Sequence, residues 1–121
     1  MPETSRVLVV DDDHNILRLL ELALSKAGCQ VVSASSGTDG LSEVVQGEFS
    51  AVVTDITMPG MSGIELIDAI SSLKPDLPVL VLSAHTEYEL VMEAIQKGAF
   101  DYITKDKEIS TRVVHAVAKA Q

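Results

Sequence analysis

The sequence predicts an α/β domain in which five parallel strands form one sheet with helices on both faces. Three observations lead there. Short apolar runs alternate strictly with segments of helical periodicity, and that order calls for a parallel sheet with right-handed crossovers. Three of the runs, Val7-Leu8-Val9-Val10, Val52-Val53-Thr54 and Val79-Leu80-Val81-Leu82, are apolar on both faces, as strands covered on both sides must be. Each of these runs ends in polar residues, which places the chemistry at one edge of the sheet.

The elements follow in order. Arg6–Val10 is a strand that ends in Asp11-Asp12-Asp13. Ile16, Leu20, Ala23, Leu24 and Ala27 then recur at helical spacing, with Leu17 and Leu19 widening the apolar face. Asp12 or Asp13 can cap this helix and Gly28 stops it. Gln30–Ala34 is a shorter, more polar strand, expected near a sheet edge. Ser36–Gly40 is a turn into a weak helix that carries Leu41, Val44 and Val45 and closes at Gly47.

The run Ala51–Asp55 is the next strand, too short for a buried helix and rich in β-branched residues. Its last residue, Asp55, is followed by the turn Met58-Pro59-Gly60-Met61-Ser62-Gly63. Gly63 opens a helix with Leu66, Ile67, Ile70 and Leu73 inward, which Pro75 and Pro78 break. Val79–Leu82 ends in Ser83-Ala84-His85, and the helix after it carries Leu90, Val91, Ala94 and Ile95 before stopping at Gly98. Asp101–Thr104 is a last short strand that delivers Lys105. Ile109, Val113, Ala116, Val117 and Ala120 mark the final helix. For five such units the flavodoxin-like strand order 2-1-3-4-5 is expected. It makes the first and third strands neighbours, so that Asp11, Asp12 and Asp55 converge.

Composition narrows the function. The 121 residues suit one domain, read here as 1–121, and the hydrophobic content of 46% fits a compact core. Nine basic against 18 acidic residues give a net charge of -9, and no basic patch supports direct nucleic-acid binding. Cys29 is the single cysteine, which excludes an intrachain disulfide and a cysteine-based zinc site. The start of the chain has no apolar signal core and no run approaches membrane length, so a cytoplasmic protein with no membrane partner is expected.

Four strand ends therefore supply three acids, a hydroxyl and an amine at one edge. In these residues the chain resembles the receiver domains of two-component response regulators, of the chemotaxis-regulator type. The resemblance rests on Val9-Val10-Asp11-Asp12, on Asp55 with Met58-Pro59-Gly60-Met61-Ser62-Gly63, on Ser83-Ala84, on Gly98-Ala99-Phe100-Asp101-Tyr102 and on Lys105. It covers essentially the whole chain.

The resemblance implies a phosphorelay switch. Asp55 would accept a phosphoryl group from the phosphohistidine of a sensor histidine kinase or phosphotransfer protein. Mg²⁺ would be held by Asp12 and Asp55 directly, by Asp11 through water and by the backbone carbonyl of Thr57. Lys105 would pair with the Asp55 carboxylate at rest and Ser83 would bond a phosphoryl oxygen afterwards. Tyr102 would then turn inward and change the face made by the fourth helix, fifth strand and fifth helix, where a downstream effector or a second copy would dock. Thr57 and His85 hold positions that tune phosphoryl lifetime in the family. Such a switch phosphorylates and dephosphorylates itself and is no metabolic enzyme in the ordinary sense.

One departure stands out: Asp106 follows Lys105 where the family usually has Pro, so a cis bond is not expected and the acid is placed to compete for the ammonium. The final helix reaches Gln121 without an effector domain, which fits a single-domain regulator or a piece of a longer response regulator or hybrid kinase. A haloacid-dehalogenase-type phosphatase using Asp11 and Asp13 lacks the Gly-Thr expected after that pair. A flavodoxin-like nucleotide binder lacks a phosphate loop after the first strand. A pseudo-receiver, an interaction module without phosphoryl chemistry, is opposed by the complete set of Asp11, Asp12, Asp55, Ser83 and Lys105.

Overall fold

The computed structural model describes residues 5–121. The elements run β1 (Arg6–Val10), α1 (His14–Lys26), β2 (Gln30–Ala34), α2 (Gly37–Gln46), β3 (Ala51–Asp55), α3 (Gly63–Leu73), β4 (Val79–Ser83), α4 (Tyr88–Gln96), β5 (Asp101–Thr104) and α5 (Ile109–Ala120). All strand pairs are parallel and the order is β2-β1-β3-β4-β5, as expected. The more polar β2 lies at one edge.

The period-two alternation of the central strands feeds two cores. Leu8, Val10, Val52, Val79 and Val81 point to the face covered by α2, α3 and α4 through Val44, Leu66, Ile67, Ile70, Val91 and Ala94. Val7, Val9, Val53, Leu80 and Leu82 point to the opposite face, where Leu17, Leu20 and Leu24 of α1 meet Val113 and Val117 of α5. Two-sided apolar strands are thus what a three-layer fold requires. Removing a buried Leu or Ile side chain from such a core typically costs about 2–5 kcal/mol.

Local chemistry sets the helix ends. Asp13 caps α1, accepting the N–H groups of Asn15 at 2.9 Å and Ile16 at 3.4 Å. Ser36 caps α2, so that helix begins at Gly37, within the stretch expected to be a turn. Ser62 and Glu65 form a reciprocal capping box at the start of α3. Gly28 and Gly98, the predicted stops of α1 and α4, have φ of 96° and 117°, a region open mainly to glycine.

Four large residues expected on apolar helix faces lie outside the core: Leu19, Ile95, Leu73 and Val45 are 43%, 41%, 54% and 62% exposed. Leu73 sits in the last turn of α3, where the chain already leaves the sheet through Lys74. Leu19 and Ile95 occupy the margins of their stripes, beside the residues that do reach the sheet.

Candidate functional site

Parallel topology brings every strand's carboxyl end to the same edge, and the predicted polar residues gather there. Asp11 follows β1, fixed by its N–H donating to the Ala34 carbonyl at 3.1 Å. Asp55 is the last residue of β3, and its neighbour's N–H, that of Ile56, donates to the Leu82 carbonyl at 3.0 Å. Ser83 ends β4, and the Lys105 N–H donates to its carbonyl at 2.8 Å. The ladder itself therefore sets the spacing of the side chains.

The β3–α3 loop returns tightly under Asp55. Gly63 donates its N–H to the Ile56 carbonyl at 3.0 Å. A Cβ at Gly63 would lie 2.1 Å from the Asp55 carbonyl oxygen and 2.8 Å from the Ile56 Cα, so only glycine fits. Met58 is buried and Met61 packs against the same core, as their apolar character suggests.

Asp11 is fully buried and Asp55 only 7% exposed, whereas Asp12 faces solvent. The Lys105 ammonium lies 3.0 Å from Asp11 Oδ2 and 3.2 Å from Asp55 Oδ1. The expected pairing with Asp55 is thus present but shared with Asp11, because the β1 and β3 ends lie side by side. Burial pushes the Asp55 carboxyl up to about 6. The nearby Asp11 adds to the rise, while Lys105 and the Thr57 backbone N–H oppose it. Burial alone would lower the Lys105 pKa, but the ammonium's ion pairs with Asp11 first, then with Asp55, outweigh it and hold it above its ordinary value.

The donor set fits a hard divalent cation. One carboxylate oxygen from each of Asp11, Asp12 and Asp55 lies within 4.8 Å of the others. Asp11 Oδ1 accepts the Asp13 N–H at 3.0 Å, but Oδ2 is buried with no aligned hydrogen bond, since the nearby ammonium is off line. A buried oxygen left without a directed partner, among hard anionic donors with an exposed side, is what Mg²⁺ with its retained waters suits.

Other expectations sort by position. Asp13 serves as the helix cap and is not in the acidic cluster. Tyr102 points outward, 51% exposed. His14, His85 and His115 are exposed. Asp106 does not compete for Lys105: its carboxylate meets Arg112 at 3.0 Å and accepts the Glu108 N–H at 2.9 Å, at the turn into α5. The presence of Arg112 six residues on explains the difference. No cis peptide bond occurs among the described residues.

Sequence reasoning missed Glu87. Its carboxylate accepts the Thr57 hydroxyl at 2.6 Å and the Ala84 N–H at 2.7 Å, joining the β3–α3 and β4–α4 loops. Only its spacing of three from Ala84, that of a capping box, could have flagged it.

The likeness to known proteins is consistent with this geometry. The family profile described as the response regulator receiver domain matches residues 7–117. The DNA-binding transcriptional regulator NtrC of Salmonella typhimurium is 37% identical over 107 residues, 88% of this chain and 23% of that protein. The C4-dicarboxylate transport transcriptional regulatory protein DctD of Rhizobium meliloti is 33% identical over all 121 residues, 26% of its own length. This chain thus spans about a quarter of these relatives. The response regulator protein TrrA of Thermotoga maritima, solved in complex with Mg(2+)-BeF, is 30% identical, with a TM-score of 0.88 over 98% of this chain and 100% of that one. The narrower likeness to chemotaxis regulators is not specifically supported. Among the described residues no helix is long and apolar enough to cross a membrane.

Proposed function

The chain belongs to the response regulator receiver domain family, and on that premise we propose that it is a cytoplasmic phosphorelay switch acting through Asp55. The observation that carries the proposal is the buried Asp55 at a strand end, paired with Lys105 at 3.2 Å and gathered with Asp11 and Asp12 within 4.8 Å.

An Asp55 carboxylate oxygen attacks the phosphorus of a phosphohistidine on a sensor histidine kinase or phosphotransfer protein. The P–N bond breaks, its electron pair returns to the imidazole, and an acyl phosphate forms. Asp12 and Asp55 with the Thr57 carbonyl, and Asp11 through water, would hold Mg²⁺, which when bound offsets the charge of the carboxylates and phosphoryl oxygens. The Mg(2+)-BeF complex of the TrrA relative supports the same pairing of ion and phosphoryl-like group. Lys105 already touches both buried acids, so its ammonium needs little movement to meet a phosphoryl oxygen. Thr57 and His85 flank the site and would tune hydrolysis.

Output runs through Ser83. Behind it lies a cavity of about 220 Å³ lined by Ala84, His85, Val91, Tyr102 and Thr104 among others. Ser83 moving toward the phosphoryl group would draw the β4–α4 loop with it, and the Tyr102 ring has this cavity to turn into. The face of α4, β5 and α5, where Tyr88, Met92 and Tyr102 are more than half exposed, would then favour an effector or a second copy by population shift.

Intact-mass spectrometry after incubation with acetyl phosphate tests the reading, with and without Mg²⁺, on wild type and Asp55→Asn. A Mg²⁺-dependent gain of one phosphoryl group, absent in the variant, is expected. Absence of an adduct in the wild type, with rapid hydrolysis excluded, would favour a pseudo-receiver.

A further inference from the structure

The receiver reading gives Glu87 no task, yet its carboxylate links the two loops that leave β3 and β4 beside Asp55. Glu87 stands at the N-cap position of α4 but makes no side-chain bond to that helix. Its carboxylate turns away instead. One oxygen, Oε1, accepts the Ala84 N–H at 2.7 Å, and the other, Oε2, accepts the Thr57 hydroxyl at 2.6 Å.

The first bond is half local. With the Glu87 N–H donating to the Ala84 backbone carbonyl at 3.1 Å, it closes a four-residue turn in which only the glutamate half of a capping box is present. Alone it would mean no more than an ordered helix start. The second bond is not local, because Thr57 lies 30 residues away on another loop. Strand register places Asp55 beside Leu82, so Ser83 and Ala84 leave the sheet next to Ile56 and Thr57. Glu87 ties these two exits together.

We propose that Glu87 is a positioning residue for phosphoryl transfer, a latch that holds Thr57 and Ala84 at rest and is driven off by the charge arriving on Asp55. The proposal rests on the receiver reading above. Glu87 adds a negative charge next to a site that already holds three acids. The phosphoryl group carries about −1.5 to −2 charges but takes up the charge of the carboxylate it modifies, so the site gains a net charge of about −0.5 to −1. That charge is now spread over phosphoryl oxygens that reach toward Glu87 and repel its carboxylate. Its departure leaves the Ala84 N–H and the Thr57 hydroxyl free to serve phosphoryl oxygens, and frees the loop that carries Ser83.

Two readouts on wild type, Glu87→Ala and Glu87→Gln test this. The first is amide hydrogen exchange at Ala84 in the unphosphorylated protein, followed by NMR. Glu87→Ala should speed that exchange about tenfold, the effect of losing one hydrogen bond, while Glu87→Gln, which keeps an acceptor oxygen, should restore most of the protection. The second is the rate at which acetyl phosphate with Mg²⁺ modifies Asp55. Both variants should react several-fold faster than wild type. The gap between wild type and Glu87→Gln should shrink in about 1 M salt, where exposed charges are screened.

Unchanged Ala84 exchange in Glu87→Ala would overturn the latch. Faster exchange with an unchanged modification rate would reduce Glu87 to a helix-start contact and overturn the positioning role. If no protein is modified, wild type included, while Ala84 exchange still responds, the receiver reading itself fails and the transfer role falls with it.

Discussion

Replacing Asp55 with its neutral isostere, Asn, should stabilise the metal-free protein at neutral pH. The Asp55 carboxyl is raised from the ordinary 3.8 to about 6, first by burial and then by the charge on Asp11, with Lys105 and the Thr57 N–H offsetting only part. With the folded-state value above the unfolded one, the native state binds more protons between them. Stability then falls as pH rises through that window and levels off above it. The gap converts to about 3 kcal/mol. Asn keeps the shape of Asp and stays neutral throughout, and Lys105 keeps Asp11 at 3.0 Å. Asp55→Asn should therefore match wild type near pH 4 and exceed it by up to about 3 kcal/mol near pH 7.5, roughly 10 °C in Tm for a domain of this size.

Urea denaturation in chelator at several pH values measures the difference directly, since other titrating groups affect both proteins alike. Repeating it in Mg²⁺ should narrow the gap, because the variant lacks one of the carboxylates proposed to hold the ion, so wild type should gain more from it. A variant less stable than wild type near pH 7.5, or a difference that does not change with pH, would refute the claim that charging Asp55 strains the site.

Three further outcomes follow from the same geometry. Lys105→Met leaves Asp11 and Asp55 without their cation and should cost about 2–4 kcal/mol in metal-free buffer, partly recovered by Mg²⁺ and read by the same denaturation curves. Gly63→Ala drives a methyl into the Asp55 carbonyl, 2.1 Å away, and should cost about 3 kcal/mol or more; a fully stable, phosphorylatable variant would contradict the packing. Ser83→Ala should still accept phosphoryl yet leave the α4–β5–α5 face unresponsive, so NMR shifts there that follow phosphorylation as in wild type would exclude Ser83 from the output.

Much of this was legible because the signals are local and repeated. The runs Val7–Val10, Val52–Thr54 and Val79–Leu82 could only be covered strands, and five strands in alternation with helices leave few topologies. Parallel pairing then sends Asp11, Asp55, Ser83 and Lys105 to one edge without any further choice. Helix faces were read less well. Leu19, Val45, Leu73 and Ile95 fit the period but not the sheet, because a periodic stripe is wider than the surface it meets.

Element order, the strand ends that carry the polar groups and the residue types that gather there can all be read along the chain. These depend on periodicity and connection rules acting within a few residues. Which partners those groups take depends on the packing of elements distant in the chain. Lys105 divides itself between Asp11 and Asp55 because β1 and β3 are neighbours. Asp106 turns to Arg112 instead of the adjacent ammonium, and Glu87 reaches across to Thr57 instead of capping its own helix. A carboxylate takes whichever donor packing brings within about 3 Å. That distance is set by elements far apart in the chain and by the desolvation their packing imposes.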